Sequence, residues 1–391
     1  MVADKLRPFG TTIFSEMTRL AIEHDAINLS QGFPDFEGPA SIVDAAVDAL
    51  RSGHNQYARS MGVVPLVQTI AAQREALYGL AYDPMTEVVV FSGATEGLMS
   101  SMLGLLNPGD EVVLFEPVYD SYPACIAMAG AVPRYVTLRF PDFALDLDAL
   151  AAAFNERTKL LVLNTPHNPT GKVFTRAELE AIAELCARHD VVVLTDEVYE
   201  HLTYDDAEHV PMASIGDMQK RTLSLSSTGK TYSFTGWKIG WGTGPAHLVK
   251  AAQAAHQFVT FSTAAPLQHA VAYALEHHGA AFFETLRAEY TERRDHMLET
   301  IRGMGLTPTH PRGSYFVLAD FSSVFEGDDI AFAKHLVTEY GVAAIPPSGF
   351  YPANPDEGRR LVRFAFCKRM ETLAAARGAL QAFGPSHGDA T

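Results

Sequence analysis

Residues 226–241 read SSTGKTYSFTGWKIGW, two lysines among Gly, Ser and Thr, entered from the alternating run RTLSL. Which fold the chain adopts turns on what Lys230 does. A strand followed by Gly-Lys-Thr ends the phosphate loop of a nucleotide hydrolase, but that loop needs a second glycine five positions before Gly229. Position 224 is Ser224, and the nucleotide reading fails. The remaining chemical reading is a lysine that forms an imine, with Lys238 as a separate charge nearby. A plain polar loop is the bland alternative, and only the rest of the chain decides between them.

Outward from this stretch, from about residue 87, short β-rich runs alternate with longer helical patterns. The runs are EVVVF, EVVLF, RYVTL, KLLVL, VVVLT and TLSLS, separated by stretches such as RAELEAIAELCARH. Continuous apolar runs bounded by turn residues predict strands buried on both faces, and hence an α/β layered architecture with a mostly parallel sheet sandwiched by helices. GPASIVDAAVDALRSG, residues 38–53, predicts a helix opening this large domain, with Pro39 in its first turn. Beyond about residue 285 a long charged helix, LRAEYTERRDHMLETIRGMG, precedes three strand-like runs, GSYFVLAD, VAAIPPS and LVRFAFC. The expected organisation is a large domain over 38–285 and a smaller α+β domain from 1–37 and 286–391. The tail QAFGPSHGDAT is expected to fray.

Composition narrows the function. The 391 residues carry 46 acidic and 30 basic side chains, a formal charge of −16, with no basic cluster. Such a surface repels phosphate backbones, so nucleic acid is an unexpected partner. No stretch reaches the apolar length of a membrane span, and the start lacks signal-peptide architecture, so a cytoplasmic protein is expected. Cys125, Cys186 and Cys367 are isolated and read as small buried hydrophobes, and the scattered histidines give no metal-ligand spacing.

In an open α/β sheet, function gathers at the carboxyl ends of strands. SGATEG follows EVVVF and suits an anion at a helix start; EPVYDSYP follows EVVLF and offers Tyr119 as a flat surface. NTPHNPTG follows KLLVL and sets Asn168 in a Pro-bounded turn. DEVYE follows VVVLT with Asp196 at the strand end and Tyr199 three residues on, within helical reach; Lys230 follows TLSLS. Each alone has a dull explanation: a common turn, a helix cap, a core tyrosine. Together they describe a ligand with a phosphate, a flat ring, a ring nitrogen, a phenolic oxygen and an aldehyde.

NPTG, TDEVY, S-x-G-K, GWKIGW and a late VRF, in this order over nearly the whole chain, resemble fold-type I class I/II aminotransferases, which use pyridoxal 5′-phosphate (PLP). INLSQGFPDF, NQY, NTPHNPTGKVF, TDEVYEHL, GSYF and VRFAFCK are most similar to the kynurenine/glutamine and methionine group, and are shared by N-succinyldiaminopimelate aminotransferases. The resemblance implies that Lys230 forms the imine with the cofactor, in neutral form and helped by the charge of Lys238. It implies that Asp196 holds the pyridine nitrogen protonated, that Asn168 and Tyr199 donate to the phenolic oxygen, and that Tyr119 stacks on the ring. The phosphate would meet the N–H groups of Ala94 and Thr95 with Ser227 and Lys238, the last standing where many relatives carry arginine. Tyr57 would reach the phosphate from a partner subunit of a homodimer.

On the substrate side, the resemblance makes Arg363 the fork that grips the α-carboxylate, closed by Gly32 and Asn168. Phe14, with Phe261 from the partner subunit, would wall the side-chain pocket. The expected activity is ping-pong transfer of an amino group from an aromatic, methionine-, glutamine- or kynurenine-like L-amino acid to a 2-oxo acid. N-succinyldiaminopimelate transamination and cysteine-S-conjugate β-lyase chemistry remain alternatives with the same site. A non-enzymatic regulator would need a fused DNA-binding segment, for which the first ~30 residues are too short.

Overall fold

The computed structural model describes residues 2–10 and 13–383; the expected frayed tail lies outside them from residue 384 onward. Among these residues the strands run β1 (Ile27–Asn28), β2 (Val88–Phe91), β3 (Glu111–Glu116), β4 (Val132–Thr137), β5 (Thr158–Asn164) and β6 (Val192–Asp196). They continue as β7 (Thr222–Ser227), β8 (Gly240–Thr243), β9 (Thr307–Pro308), β10 (Phe316–Asp320), β11 (Val342–Ala343) and β12 (Leu361–Ala365).

Seven of them form one sheet in the order β2-β8-β7-β6-β5-β3-β4, parallel except for β8, which runs antiparallel to both neighbours. Every residue of β3 is buried and β5 exposes only Lys159, as their unbroken apolar runs demand when helices cover both faces. β4, at one edge, shows a half-exposed pattern instead. β8 is the strand that periodicity does not announce, because GWGT carries two glycines, which are poor strand formers. Their smallness is required by position: a Cβ on Gly240 would sit 2.7 Å from the Ala94 nitrogen, and one on Gly242 3.0 Å from the Phe91 ring. At these two positions of β8 a larger residue would meet its neighbours too closely.

The helix expected at 38–53 spans Ala40–Arg51, with Pro39 one residue ahead of it as the cap rather than inside the first turn. The long charged helix covers Ala280–Gly303, beginning before the charged run, and buries Tyr290, Met297 and Ile301 against Phe316, Val362 and Phe364. β12, β10 and β9 form an antiparallel sheet, and β1 pairs in parallel with β11. Of the run VAAIPPS only Val342 and Ala343 are strand, since Pro346 and Pro347 have no N–H to offer. Ile345 nevertheless bridges Arg363. The segment after β1 is tied to the C-terminal part by Lys368 Nζ donating to the Phe33 carbonyl (2.8 Å) and by Asp35 accepting from the Arg369 N–H and the Thr372 hydroxyl (both 2.6 Å). No helix among the described residues is long and apolar enough to cross a membrane. Cys125, Cys186 and Cys367 are buried and free, as expected.

Candidate active site

A cavity of about 370 Å³ opens at the carboxyl ends of the central strands, where the sheet meets the segment after β1 and the β10–β12 sheet. Lys230, Asp196, Tyr199, Asn168, Tyr119 and Ser227 line it. So do Ala94, Thr95, Lys238, Gly32, Phe14 and Arg363. Tyr57 and Phe261 do not. They stack edge to face at 5.1 Å on the surface, Tyr57 84% and Phe261 50% exposed.

Lys230 sits in the single turn Thr228–Thr231 that follows β7. Its Nζ donates to the Gly32 carbonyl at 3.1 Å, and the Tyr315 hydroxyl donates to the same oxygen. Burial lowers the lysine to about 8, Lys238 and Arg363 push the same way, and Asp196 opposes them. The sequence-level expectation of a depressed amine thus stands, but desolvation rather than the Lys238 charge is its main cause.

Asp196 ends β6 and is buried. Burial raises its carboxyl, opposed first by the Tyr122 hydroxyl, which donates to Oδ2 at 2.8 Å, then by the Val198 N–H and Lys230. Tyr199 follows in a turn, not in a helix as its spacing had predicted, and packs edge-on against Tyr315 with ring centroids 5.0 Å apart. Asn164, at the end of β5, fixes both neighbours: its Nδ2 donates to the Asp196 carbonyl at 2.9 Å and its Oδ1 accepts from the Asn168 N–H at 2.7 Å.

Opposite these groups, helix Ala94–Leu105 points its first turn into the cavity, where α-helical N–H groups have no intrahelical partner. Gly93 precedes it at φ 80°, and a Cβ there would come within 3.0 Å of the Lys238 ammonium. Lys238 itself adopts the left-handed region at φ 54°. N–H groups, an ammonium and the β7-end hydroxyl of Ser227 make a cup for an anion.

Arg363 lies in β12 but is 1% exposed, so it is not a surface arginine on an edge strand. Its Nη2 donates to the Ser30 carbonyl at 2.9 Å and Nη1 to Asn168 Oδ1 at 3.2 Å, while Nε has no partner. The guanidinium stands 4.1 Å over the Phe316 ring, and desolvation lowers it to about 10. A buried guanidinium that lines a cavity and keeps an unpartnered donor fits a carboxylate ligand.

Behind the cavity a charged cluster goes unannounced by the sequence. Arg74 donates to Glu197 Oε2 and Glu200 Oε2, each at 2.8 Å, and all three are buried. Glu197, Glu200 and His209 also approach one another closely enough to suggest metal ligands. The carboxylate oxygens of the two glutamates are already used: Tyr78 and Ser226 donate to Glu200, Thr195 and Ser224 to Glu197. Because Glu197 and Glu200 adjoin Asp196 and Tyr199, this cluster pins the turn that carries both. Tyr122, Asn164, Tyr315 and Arg74 were not read from the sequence.

The seven-stranded sheet with a lysine-bearing turn at its centre defines the fold-type I transferase architecture of PLP-dependent enzymes. The pattern of aminotransferase class I and II matches residues 24–380, and the chain belongs to that family. A probable N-succinyldiaminopimelate aminotransferase of Mycobacterium tuberculosis is 46% identical over 386 residues, covering 96% of this chain and 97% of that one. A kynurenine–oxoglutarate transaminase of Dictyostelium discoideum is 39% identical, covering 94% and 93%. The crystal structure of an Escherichia coli protein with methionine aminotransferase function superposes with a TM-score of 0.93 at 38% identity, covering 98% of this chain and 99% of that one. The protein is an aminotransferase.

Proposed function

We propose that the protein moves the amino group of an L-amino acid with an aromatic, methionine-, glutamine- or kynurenine-like side chain to a 2-oxo acid, using PLP held in this cavity. The observation that carries the reading is the convergence on one cavity of a buried lysine lowered to about 8, a buried carboxylate at a strand end and a buried arginine with an unpartnered Nε. The cofactor's chemistry fits this donor set: when bound, its aldehyde condenses with amines and its protonated ring draws electrons from the bonds at the amino acid's Cα.

The residues would divide the work as follows. The first-turn N–H groups of Ala94 and Thr95, with Ser227 and Lys238, hold the phosphate; Tyr119 covers one ring face; Asn168 and Tyr199 face the phenolic oxygen. Asp196, whose anionic form Tyr122 favours by donating to it, keeps a proton on the ring nitrogen. Lys230, its amine made easier to deprotonate by burial, takes the Cα proton on Nζ and returns it to the cofactor side as general acid and base. Arg363 fixes the α-carboxylate, with Asn168 and Gly32 beside it, so that the Cα–H faces Lys230. Phe14 walls the side-chain pocket.

Exposed Tyr57 and Phe261 support a homodimer in which each subunit completes its partner's site. The described residues of 1–37 and 286–391 form, in this reading, a smaller domain against a large one at 38–285. A second reading, N-succinyldiaminopimelate as substrate, draws on the M. tuberculosis relative and on an outer groove that continues from Phe14 past Gln31 to Thr18 and Arg19. The test is a panel of amino donors, including N-succinyldiaminopimelate and a cysteine S-conjugate, against several 2-oxo acids. Amino transfer with parallel-line kinetics is expected; cofactor-loaded protein that transfers from no donor would overturn the proposal.

A further inference from the structure

Asp120 is a cavity carboxylate that the reaction leaves without a task. It follows Tyr119 directly and stands at the N-cap of helix Ser121–Met128, where an aspartate ordinarily turns its side chain onto the helix N–H groups. Here the side chain makes no capping bond to the helix. The residue instead lines the cavity that Arg363 and Phe14 also line. Burial raises its carboxyl, opposed first by the Arg363 charge and then by nearby backbone N–H groups.

The charges around the cavity sharpen the point. Its cationic side chains are Lys230, Lys238 and Arg363, and its carboxylates are Asp120 and Asp196. On the functional reading above, the three cations serve the imine, the phosphate and the α-carboxylate, and Asp196 serves the ring nitrogen. That leaves one charged group in the cavity for the rest of the substrate, and it is negative. A second carboxylate on the donor would face Asp120 without a cation of its own. An N–H group would give Asp120 a charge-assisted hydrogen bond in a partly desolvated setting.

We propose that Asp120 determines specificity by accepting a hydrogen bond from an N–H group on the donor's side chain, an amide, an aromatic amine or an ammonium, and by disfavouring acidic side chains. The proposal rests on the aminotransferase site as read above. It makes Asp120 a selector rather than a part of the proton-transfer machinery.

The test compares isosteres that differ only in the N–H group: L-glutamine against 5-oxo-L-norleucine, and 4-amino-L-phenylalanine against 4-methyl-L-phenylalanine. In the wild-type holoenzyme, kcat/KM should favour the N–H member of each pair roughly 10- to 100-fold, as expected for a hydrogen bond to a charged group. Asp120→Asn and Asp120→Ala should reduce that preference about tenfold or more, and Asp120→Asn should raise the rate with L-glutamate relative to L-glutamine. Because each ratio is taken within one protein, partial loss of folded enzyme cancels. An equal fall for both members of each pair would place Asp120 in the service of Arg363 and overturn the proposal while leaving transamination intact. Wild-type protein that holds PLP but transfers from none of the four donors would overturn the underlying reading and the proposal with it.

Discussion

The Tyr122 hydroxyl lies 2.8 Å from Asp196 Oδ2, a contact between the first turn of a helix and the end of β6, two strands away from the β3 end that precedes that helix. Burial favours the neutral form of this carboxyl, and the groups that donate to it favour the anion. Tyr122→Phe should therefore weaken retention of PLP by about 1.5–3 kcal/mol, the usual worth of a hydrogen bond to a charged group. Equilibrium dialysis of the cofactor measures this. Asp196→Asn should keep its fold by circular dichroism and lose nearly all proton abstraction in single turnovers.

The apo protein should become more stable as pH rises through the range set by Lys230. In the folded chain burial lowers it to about 8, below the 10.5 of an exposed lysine. Between these values the unfolded chain binds more protons, so unfolding free energy climbs with pH; the penalty is fully present below about pH 8 and gone above about 10.5. That difference corresponds to roughly 3 kcal/mol. Urea titrations should show Lys230→Met more stable than wild type near pH 7 by up to that amount, with the gap closing by pH 10.5. A constant gap would contradict the desolvated-amine account. Borohydride reduction of the holoenzyme should label Lys230, not Lys238.

Arg363→Lys should cut kcat/KM towards every α-amino acid by about 2–5 kcal/mol in transition-state terms, because an ammonium cannot reproduce the guanidinium fork. Amines without a carboxylate should be affected little, and PLP content by absorbance should be unchanged. Equal losses for amines and amino acids would make Arg363 structural.

Removing Arg74 leaves two buried carboxylates without their cation. Arg74→Ala should destabilise the protein by roughly 3–5 kcal/mol, the range for breaking a buried ion pair from one side. Chemical denaturation measures it, and a loss below about 1 kcal/mol would mean that the two glutamates find other partners.

Mixing Tyr57→Phe subunits with Lys230→Ala subunits should restore a fraction of activity, since one of the two sites in a mixed dimer would then carry neither defect. If subunit exchange is demonstrated and no activity returns, the site is built within one chain.

Much of the cavity was legible because strand ends converge. Once the buried parallel runs are recognised, whatever follows each run shares one edge, so Asn168, Asp196 and Lys230 could be placed together without coordinates. Other parts carry no local signal. Gly240 and Gly242 suppress the strand pattern of β8 although the sheet needs them. Arg74 sits in VPLVQTIAAQREALY as an ordinary helix charge, and only the fold brings Glu197 and Glu200 to it. Tyr122 and Asp120 stand within EPVYDSYP, where an acid at a helix start reads as a cap and a tyrosine as core. Arg363 was legible through family resemblance alone, its spacing from Lys230 having no local meaning.

The Ser30 carbonyl and the Arg363 guanidinium, 2.9 Å apart, are separated by most of the polypeptide. During synthesis the segment holding Ser30 and Gly32 leaves the ribosome hundreds of residues before Arg363, Lys368 and Arg369, which tie it down. β1 likewise waits for β11. The central sheet has all its strands once residue 243 has emerged; the segment that carries Gly32 to Lys230 is tied down only when β11, Lys368 and Arg369 follow. A ribosome-bound chain stalled before β11 would therefore carry a sheet with its lysine in place and an unfinished cleft, and the cleft would close only after the segment from β11 to Arg369 had followed.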